Sequence, residues 1–294
     1  MKKVVFLAIL SLLFATACEK DKPNSSYSPY FTISPTQKVV FSPGNLQWSA
    51  TNGGNTATTH TVADGTAAGT WRFASNQWDI IGATNSNVSS TYTGWIDLFG
   101  WGTSGYNNKY PYITSTTDSD YGEGSNHIAG TYYDWGVYNT IYNPKTQTTD
   151  APGTWRTLTR EEWEYLLFDR GFTIRQGRPL FYQLSVHGVS GIMILPDNFP
   201  SYEDLPIDFW RTDWKILEDL GCVFLPAAGY RNGTFYYPGV KAESLYAIYW
   251  STKYFYDEDV YALSLMNLGL NDILIYRNVD RHLGGSVRLV KEIQ

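Results

Sequence analysis

The sequence predicts an α+β fold with short, mostly antiparallel strands, two main helices and long ordered loops. Aromatic residues make up 16% of the 294 residues and charged residues only 17%, a balance typical of a folded chain rich in strands. The 26 glycines and 13 prolines favour turns over long helices. Because strand-like segments precede and follow the helical ones, the order favours α+β over an alternating βαβ arrangement.

The first 17 residues predict an export signal. Lys2 and Lys3 precede an apolar run that is too short to span a bilayer. Small residues stand directly before Cys18, which resembles a bacterial lipoprotein signal, and this resemblance implies a lipid on Cys18. Cleavage after Ala17 as an ordinary signal peptide is the alternative.

We expect residues 18–30, rich in charged residues, Ser, Asn and Pro, to form a flexible tether. The charged run after Cys18 resembles the surface-export signals of Bacteroidetes lipoproteins. It implies an outer-membrane lipoprotein exposed at the cell surface, in which the lipid anchor is the only contact with the membrane.

Residues 31–294 predict one elaborated domain. Strand patterns occur within residues 31–48, with a turn signal at residues 42–45, and again at residues 70–73 and 77–81. Residues 50–69 have almost nothing to bury and predict a long surface loop or a loosely paired hairpin. Residues 82–150 lack helical periodicity and predict long ordered loops held by buried rings.

Two segments predict helices. Thr159 and Glu162 form a capping-box pattern, Trp163 starts an apolar face with Leu166 and Leu167, and Gly171 supplies a stop. The second helix is predicted over residues 212–220 and ends at Gly221. Short strands are then expected at residues 223–225, 247–251, 261–265, 273–277 and 286–290.

Four motifs resemble those of the sulfatase-modifying-factor families. Residues 154–166 (TWRTLTREEWEYL) resemble the segment that opens the family's helix. Residues 224–231 (FLPAAGYR), 249–252 (YWST) and 284–290 (GGSVRLV) resemble three later motifs in the family order, so the core of the resemblance covers residues 154–290. It implies a C-type-lectin-like fold.

Two upstream segments extend this resemblance. Residues 41–47 (FSPGNLQ) and 94–102 (GWIDLFGWG) resemble Bacteroidetes surface proteins related to the Fibrobacter succinogenes major paralogous domain. The resemblance then runs from about residue 35 to the end of the chain, as one domain.

The motifs also supply structural residues. Three arginines lie in apolar strand contexts, where a guanidinium needs carboxylate or carbonyl partners. We expect internal ion pairs with Glu162, Glu164 or loop aspartates. The predicted structural residues are Trp155, Arg156, Trp163, Arg231, Trp250 and Arg288.

No catalytic residue is assigned. The best-known activity that the resemblance implies, formylglycine generation, is a copper-dependent oxidation that uses a pair of cysteines. Cys222 is the sole cysteine after Cys18, so that activity is not expected, and its apolar surroundings predict a small buried side chain. The four histidines lack metal-ligand spacing; they are His60, His127, His187 and His282.

Calcium is the one metal that the acidic loops suggest. Asp118, Asp120 and Glu123 are spaced like the start of a calcium loop, although the bidentate glutamate of its far end is absent. Solvated loop acids are the alternative interpretation. A second acidic cluster, residues 257–259, is expected at a hairpin tip.

The leading functional hypothesis is a non-catalytic cell-surface protein that binds a glycan or another protein through aromatic loops. The predicted ligand-binding residues are Tyr236, Tyr237, Tyr256, Trp101 and Tyr106, and the first three are expected to share a patch near the acidic tip. The alternatives are an enzyme that acts on polysaccharide and a structural subunit of a surface or fimbrial assembly. A net charge of -6 argues against nucleic acid as a partner.

Overall fold

The computed structural model describes residues 28–51, 69–170, 180–199, 213–241, 244–256, 259–266 and 273–293. Within these ranges the chain is strand-rich with three short α-helices, which confirms the α+β prediction. The export signal, Cys18, most of the tether, residues 52–68, Gly171 and residues 257–258 lie outside the described residues.

The strands follow one another in the first part of the chain as β1 Phe31–Ser34, β2 Gln37–Phe41, β3 Leu46–Ser49, β4 Thr70–Phe73, β5 Ile141–Asn143, β6 Thr148–Asp150, β7 Phe181–Val186 and β8 Val189–Ile194. The later strands are β9 Val223–Pro226, β10 Tyr230–Asn232, β11 Phe235–Tyr237, β12 Val240–Lys241, β13 Ser244–Tyr256, β14 Asp259–Met266, β15 Ile273–Asp280 and β16 Val290–Ile293. The helices are α1 Trp135–Tyr138, α2 Arg160–Glu164 and α3 Trp214–Asp219.

These strands form several small sheets. Their orders are β1-β2-β16, β3-β4-β5-β6, β7-β8-β9, β10-β11 and β12-β13-β14-β15. The named pairs are antiparallel except β4 and β5. Because β2 pairs with both β1 and β16, the first and last described strands flank β2 in the same sheet.

Three hydrophobic clusters form the core. The largest packs six tryptophans, namely Trp48, Trp71, Trp101, Trp135, Trp155 and Trp250. The second joins Trp163 and Leu166 of the α2 region to β1, β9 and β13. The third packs α3 against β8 and β9 and includes Cys222, which is buried as expected. Burial raises the pKa of this thiol, so it stays protonated.

Both predicted helices are present, and the start of the first and the end of the second follow the sequence signals. The Oγ1 of Thr159 accepts from the Glu162 amide at 3.2 Å, and the Glu162 carboxylate accepts from the Thr159 amide at 2.8 Å. After α2 the chain continues as one π-helical segment, Tyr165–Asp169. At the end of α3, Gly221 has a φ of +79°, and the Cys222 amide donates back to the Leu217 carbonyl at 3.0 Å. This hydrogen bond and the left-handed glycine form a Schellman cap.

Two predicted strands are wrong in whole or in part. Residues 77–81 form a turn and an irregular segment instead of a strand. The Asp79 carboxylate accepts from the Asn76 amide at 2.8 Å and so stabilises the turn. The last ladder begins only at Val290; before it, Ser286 makes an isolated bridge with Tyr249.

Residues 82–150 contain more regular structure than predicted, namely α1 and the β5–β6 hairpin. Asp134 caps α1 through the Gly136 amide and also accepts from the amide and hydroxyl of Thr157, so one buried carboxylate fixes this short helix. The β7–β8 hairpin was not predicted either. Among the described residues, no helix is both long and apolar enough to cross a membrane.

Candidate functional site

The β10–β11 hairpin presents two different faces. Tyr230 pairs with Tyr237, and Asn232 pairs with Phe235. The two-residue turn starts at Gly233, whose φ of +56° suits the first central position of a type II′ turn. Because side chains alternate along a strand, these four residues share one face and Arg231 occupies the other.

The outward face is aromatic and exposed. The rings of Tyr230 and Tyr237 stack with centroids 4.6 Å apart and planes inclined by 4°. Tyr237 is 43% exposed and Phe235 is 72% exposed. We call Tyr230, Asn232, Phe235 and Tyr237 the tyrosine platform.

The phenol of Tyr230 stays neutral in this setting. Burial, together with the neighbouring phenols of Tyr237 and Tyr246, raises its pKa. The hydroxyl can therefore both donate and accept hydrogen bonds at neutral pH.

The inward face is anchored by Arg231. Its Nη1 donates to the Gly233 carbonyl at 2.7 Å and to the Ile113 carbonyl at 3.3 Å, while Nη2 donates to the Leu98 carbonyl at 3.4 Å. Burial lowers the pKa of Arg231 to about 10, so it is still a cation at neutral pH. No carboxylate in the described part of the chain pairs with it, so the expected ion pair is wrong. Its Nη groups donate to carbonyls of converging loops instead, and its buried Nε has no partner among the described residues.

A second aromatic pair lies on the loop that Arg231 holds. Tyr110 and Tyr112 stack with centroids 5.1 Å apart and planes inclined by 5°. Tyr112 also packs against Trp48 at 5.6 Å. A Cβ at Gly233 would lie 3.6 Å from the Thr114 carbonyl oxygen, so the hairpin turn and this loop are neighbours.

Tyr106 belongs to a separate cluster. Its ring meets those of Tyr132, Tyr133 and Tyr138 edge-on, at centroid distances of 5.3, 5.1 and 5.4 Å. Tyr106 is only half-buried, and Tyr132 is 51% exposed. Tyr106 therefore orders its loop and is not part of the tyrosine platform.

Two more of the predicted ligand-binding residues, Trp101 and Tyr236, point into the protein and require correction. Trp101 is fully buried, and its Nε1 donates to the Ser251 carbonyl at 2.8 Å, so it belongs to the core. Tyr236 is half-buried on the inward face, and its hydroxyl donates to the Ala228 carbonyl at 3.2 Å.

Tyr256 is exposed but lies far from the tyrosine platform. Tyr246, ten residues earlier on β13, bonds to the Gly239 carbonyl beside β11. At about 3.3 Å per strand residue, and with irregular pairing after Trp250, Tyr256 lies up to about 30 Å farther along the strand. The expected single patch of Tyr236, Tyr237 and Tyr256 is therefore wrong, and Tyr237 alone of the three lies on the tyrosine platform.

The predicted calcium ligands do not converge. Asp118 is buried and accepts from the backbone amide of His282 at 3.1 Å, with the His282 Nδ1 at 3.2 Å, whereas Glu123 is exposed. Within the described ranges, no three side chains of His, Cys, Asp or Glu are grouped to hold a metal ion. The short turn Asp118–Asp120 aims Asp118 into the protein, so the three-carboxylate site is wrong.

The other predicted structural residues hold the scaffold together. Arg156 forms the expected ion pair with Glu162, through hydrogen bonds of 2.8 and 2.7 Å. Arg288 is instead fully buried against two amide oxygens, those of Asn45 at 3.3 Å and Gln77 at 2.8 Å, and burial lowers its pKa to about 10.

The three structural tryptophans are buried, and each indole N–H donates a hydrogen bond. Trp155 donates to the Asp150 carboxylate at 2.8 Å. Trp163 donates to the Trp250 carbonyl at 3.4 Å, and Trp250 donates to the Phe99 carbonyl at 2.6 Å. These bonds link α2, β6 and β13 across the core.

Comparisons with protein-family models, curated proteins and solved structures gave no match. The resemblance to the sulfatase-modifying-factor families stays a prediction from motifs. The tyrosine platform and the neighbouring tyrosine pair are therefore supported by their own geometry.

Proposed function

We propose that this protein is a non-catalytic binding protein whose tyrosine platform holds a neutral glycan. The observation that carries the proposal is the Tyr237 ring, which is 43% exposed yet fixed by parallel stacking on Tyr230. Because the ring is already ordered, binding costs little side-chain entropy. Aromatic rings pack against the apolar C–H faces of sugars, while phenol hydroxyls and the Asn232 amide supply hydrogen bonds.

The charge of the site favours a neutral ligand. The four side chains of the tyrosine platform are Tyr, Asn and Phe, none of which is charged at neutral pH. Arg231 lies on the opposite face, where carbonyl oxygens occupy its Nη donors. An acidic sugar therefore has no exposed cation on the platform to meet it.

The proposed setting is a C-type-lectin-like domain displayed at the cell surface by a lipid on Cys18. Two observations support the fold type: β1 and β16 both pair with β2, and the region of α2 packs beside β1. The sequence before residue 31 supports the anchor, since its small residues precede Cys18 and a polar tether follows.

A glycan array tests the proposed function. The full-length protein, held in a detergent without a sugar headgroup, is expected to bind neutral glycans and to lose them in the double variant Phe235→Ala/Tyr237→Ala. Tyr256→Ala is the matched control, because that ring is exposed but distant from the platform. Absence of any bound glycan, or binding that the double variant retains, would contradict the proposal. Release of shortened glycan would support the enzyme alternative instead.

A further inference from the structure

Two tyrosine pairs in the described part of the chain stack nearly parallel, and both lie near one guanidinium. The first is Tyr230 with Tyr237 on the platform, and the second is Tyr110 with Tyr112 on the adjacent loop. Both members of the second pair are partly exposed. Two flat, ordered ring pairs beside each other offer two places where a sugar ring can pack.

The second pair is also held by contacts within the protein. The Tyr110 hydroxyl donates to the Asn108 side-chain oxygen at 2.9 Å, and the Tyr112 ring packs on the buried Trp48. Asn108 itself has a φ of +62°, a conformation that asparagine tolerates better than most residues. The orientation of the rings is therefore set by the loop before any ligand arrives.

Arg231 limits the distance between the two pairs. Its Nη1 bonds both to the Gly233 carbonyl in the hairpin turn and to the Ile113 carbonyl next to Tyr112. Phe235 is two residues beyond Gly233. With at most about 3.5 Å of reach per residue, the Cα atoms of Tyr112 and Phe235 lie within about 20 Å of each other.

We infer that the ligand is an extended neutral oligosaccharide that contacts the tyrosine platform and the Tyr110–Tyr112 pair at once. This inference rests on the proposed function of the platform. A short glycan covers one ring pair, whereas a longer chain covers both, and the second contact then forms at high effective concentration. Affinity rises with chain length until both ring pairs are covered, and then stops rising.

The test is a chain-length series of the neutral glycan that the array identifies, titrated calorimetrically into the full-length protein. We expect the dissociation constant to fall about tenfold or more from the shortest to the longer members of the series. Tyr110→Ala and Tyr112→Ala should each remove most of this gain, so that the longer glycans bind these variants little more tightly than the shortest binding glycan does. Tyr256→Ala is the control and should keep the full gain.

Two variants are needed because the Tyr112 ring also packs against the buried Trp48, so Tyr112→Ala can disturb the core as well. The described ring contact of Tyr110 is with Tyr112. An affinity that is independent of chain length, or a gain that both loop variants retain, would overturn the inference and leave the platform proposal standing. If glycans of no length bind, the proposed function fails, and this inference fails with it.

Discussion

Arg231 donates a hydrogen bond of 3.3 Å to the carbonyl oxygen of Ile113, although 118 positions separate the two residues in the chain. The same nitrogen donates to Gly233, so one guanidinium joins the aromatic loop to the turn of the aromatic hairpin. No carboxylate of the described residues pairs with this buried charge, and such burial is costly. The contact fixes the position of the loop that carries Tyr110 and Tyr112 relative to the hairpin that carries Tyr230 and Tyr237.

Replacing Arg231 by Met should release the loop from the hairpin. The carbonyls of Gly233, Ile113 and Leu98 would lose their donor, and an unsatisfied buried carbonyl costs about 1–3 kcal/mol. Removal of the buried charge offsets part of this cost, so we expect a net loss of about 2 kcal/mol in the free energy of unfolding. Hydrogen exchange of residues 110–114 should accelerate more than that of α2. Unchanged exchange in residues 110–114 would disprove the clamp.

Gly284 leaves the space that Arg231 occupies. A Cβ at position 284 would lie 2.8 Å from the Cβ of Arg231, and backbone hydrogen bonds of 2.9 and 2.7 Å link the two residues. Gly284→Ala should therefore destabilise the protein by about 1–3 kcal/mol through overpacking, as measured by urea unfolding.

Gly130→Ala is the control for this substitution, because its Cβ would meet nothing within 4 Å although its φ is +69°. It should cost only the conformational penalty of the left-handed region, about 1 kcal/mol. Equal changes in the two variants would show that the close approach of Gly284 to Arg231 does not matter for stability.

Glu162 serves both the capping box and the ion pair with Arg156, so Glu162→Gln should weaken both. The charge-assisted bonds to Arg156 are lost, whereas the amide oxygen can still accept from the Thr159 amide. Thr159→Ala removes only the cap and should cost about 1 kcal/mol. Thermal unfolding should rank wild type above both variants, and Thr159→Ser should match wild type. A Thr159→Ala variant as stable as wild type would contradict the role of the cap.

The buried Asp97 should make the free energy of unfolding depend on pH in a specific way. Burial, partly offset by hydrogen bonds from Asn85 and the Ile81 amide, raises its pKa to about 6. Because the folded state binds this proton more tightly than the unfolded state, its contribution to the free energy of unfolding is complete below pH 4. The contribution is lost as the pH rises through 6.

Lowering the pH from 7 to 5 should therefore stabilise the wild type by about 1 kcal/mol more than Asp97→Asn, measured by urea unfolding at each pH. The variant serves as the control because other carboxylates titrate equally in both proteins. Parallel pH profiles for the two proteins would show that Asp97 keeps an ordinary pKa.

The sequence predicts the elements that carry strong local signals. The capping box of Thr159 and the glycine stop at Gly221 both appear where their patterns place them, because short-range hydrogen bonds decide helix ends. Residues 77–81 look like a strand, yet the Gln77 side chain is engaged by the Phe224 amide and by Arg288. Such long-range contacts cannot be recognised from the periodicity of the local sequence.

The candidate site could be predicted only in part. Tyr237 is among the predicted ligand-binding residues, whereas Tyr230 and Phe235 are not. Gly233 followed by Thr234 is nevertheless a type II′ turn signal, which places Asn232 opposite Phe235 and Tyr230 opposite Tyr237. Composition alone could not place Trp101 and Tyr256. Trp101 lies in the core, and Tyr256 lies up to about 30 Å from Tyr246 along β13. The distance between aromatic residues depends on tertiary pairing, which sequence spacing does not show.

The most direct test of the account is a calorimetric titration of one array-identified neutral glycan into wild type, Tyr237→Ala and Tyr256→Ala at equal protein concentration. We predict that Tyr237→Ala weakens binding about tenfold, the loss of one ring contact of about 1.4 kcal/mol, and that Tyr256→Ala binds as wild type does. Equal affinity in wild type and Tyr237→Ala, with both proteins folded, would contradict it.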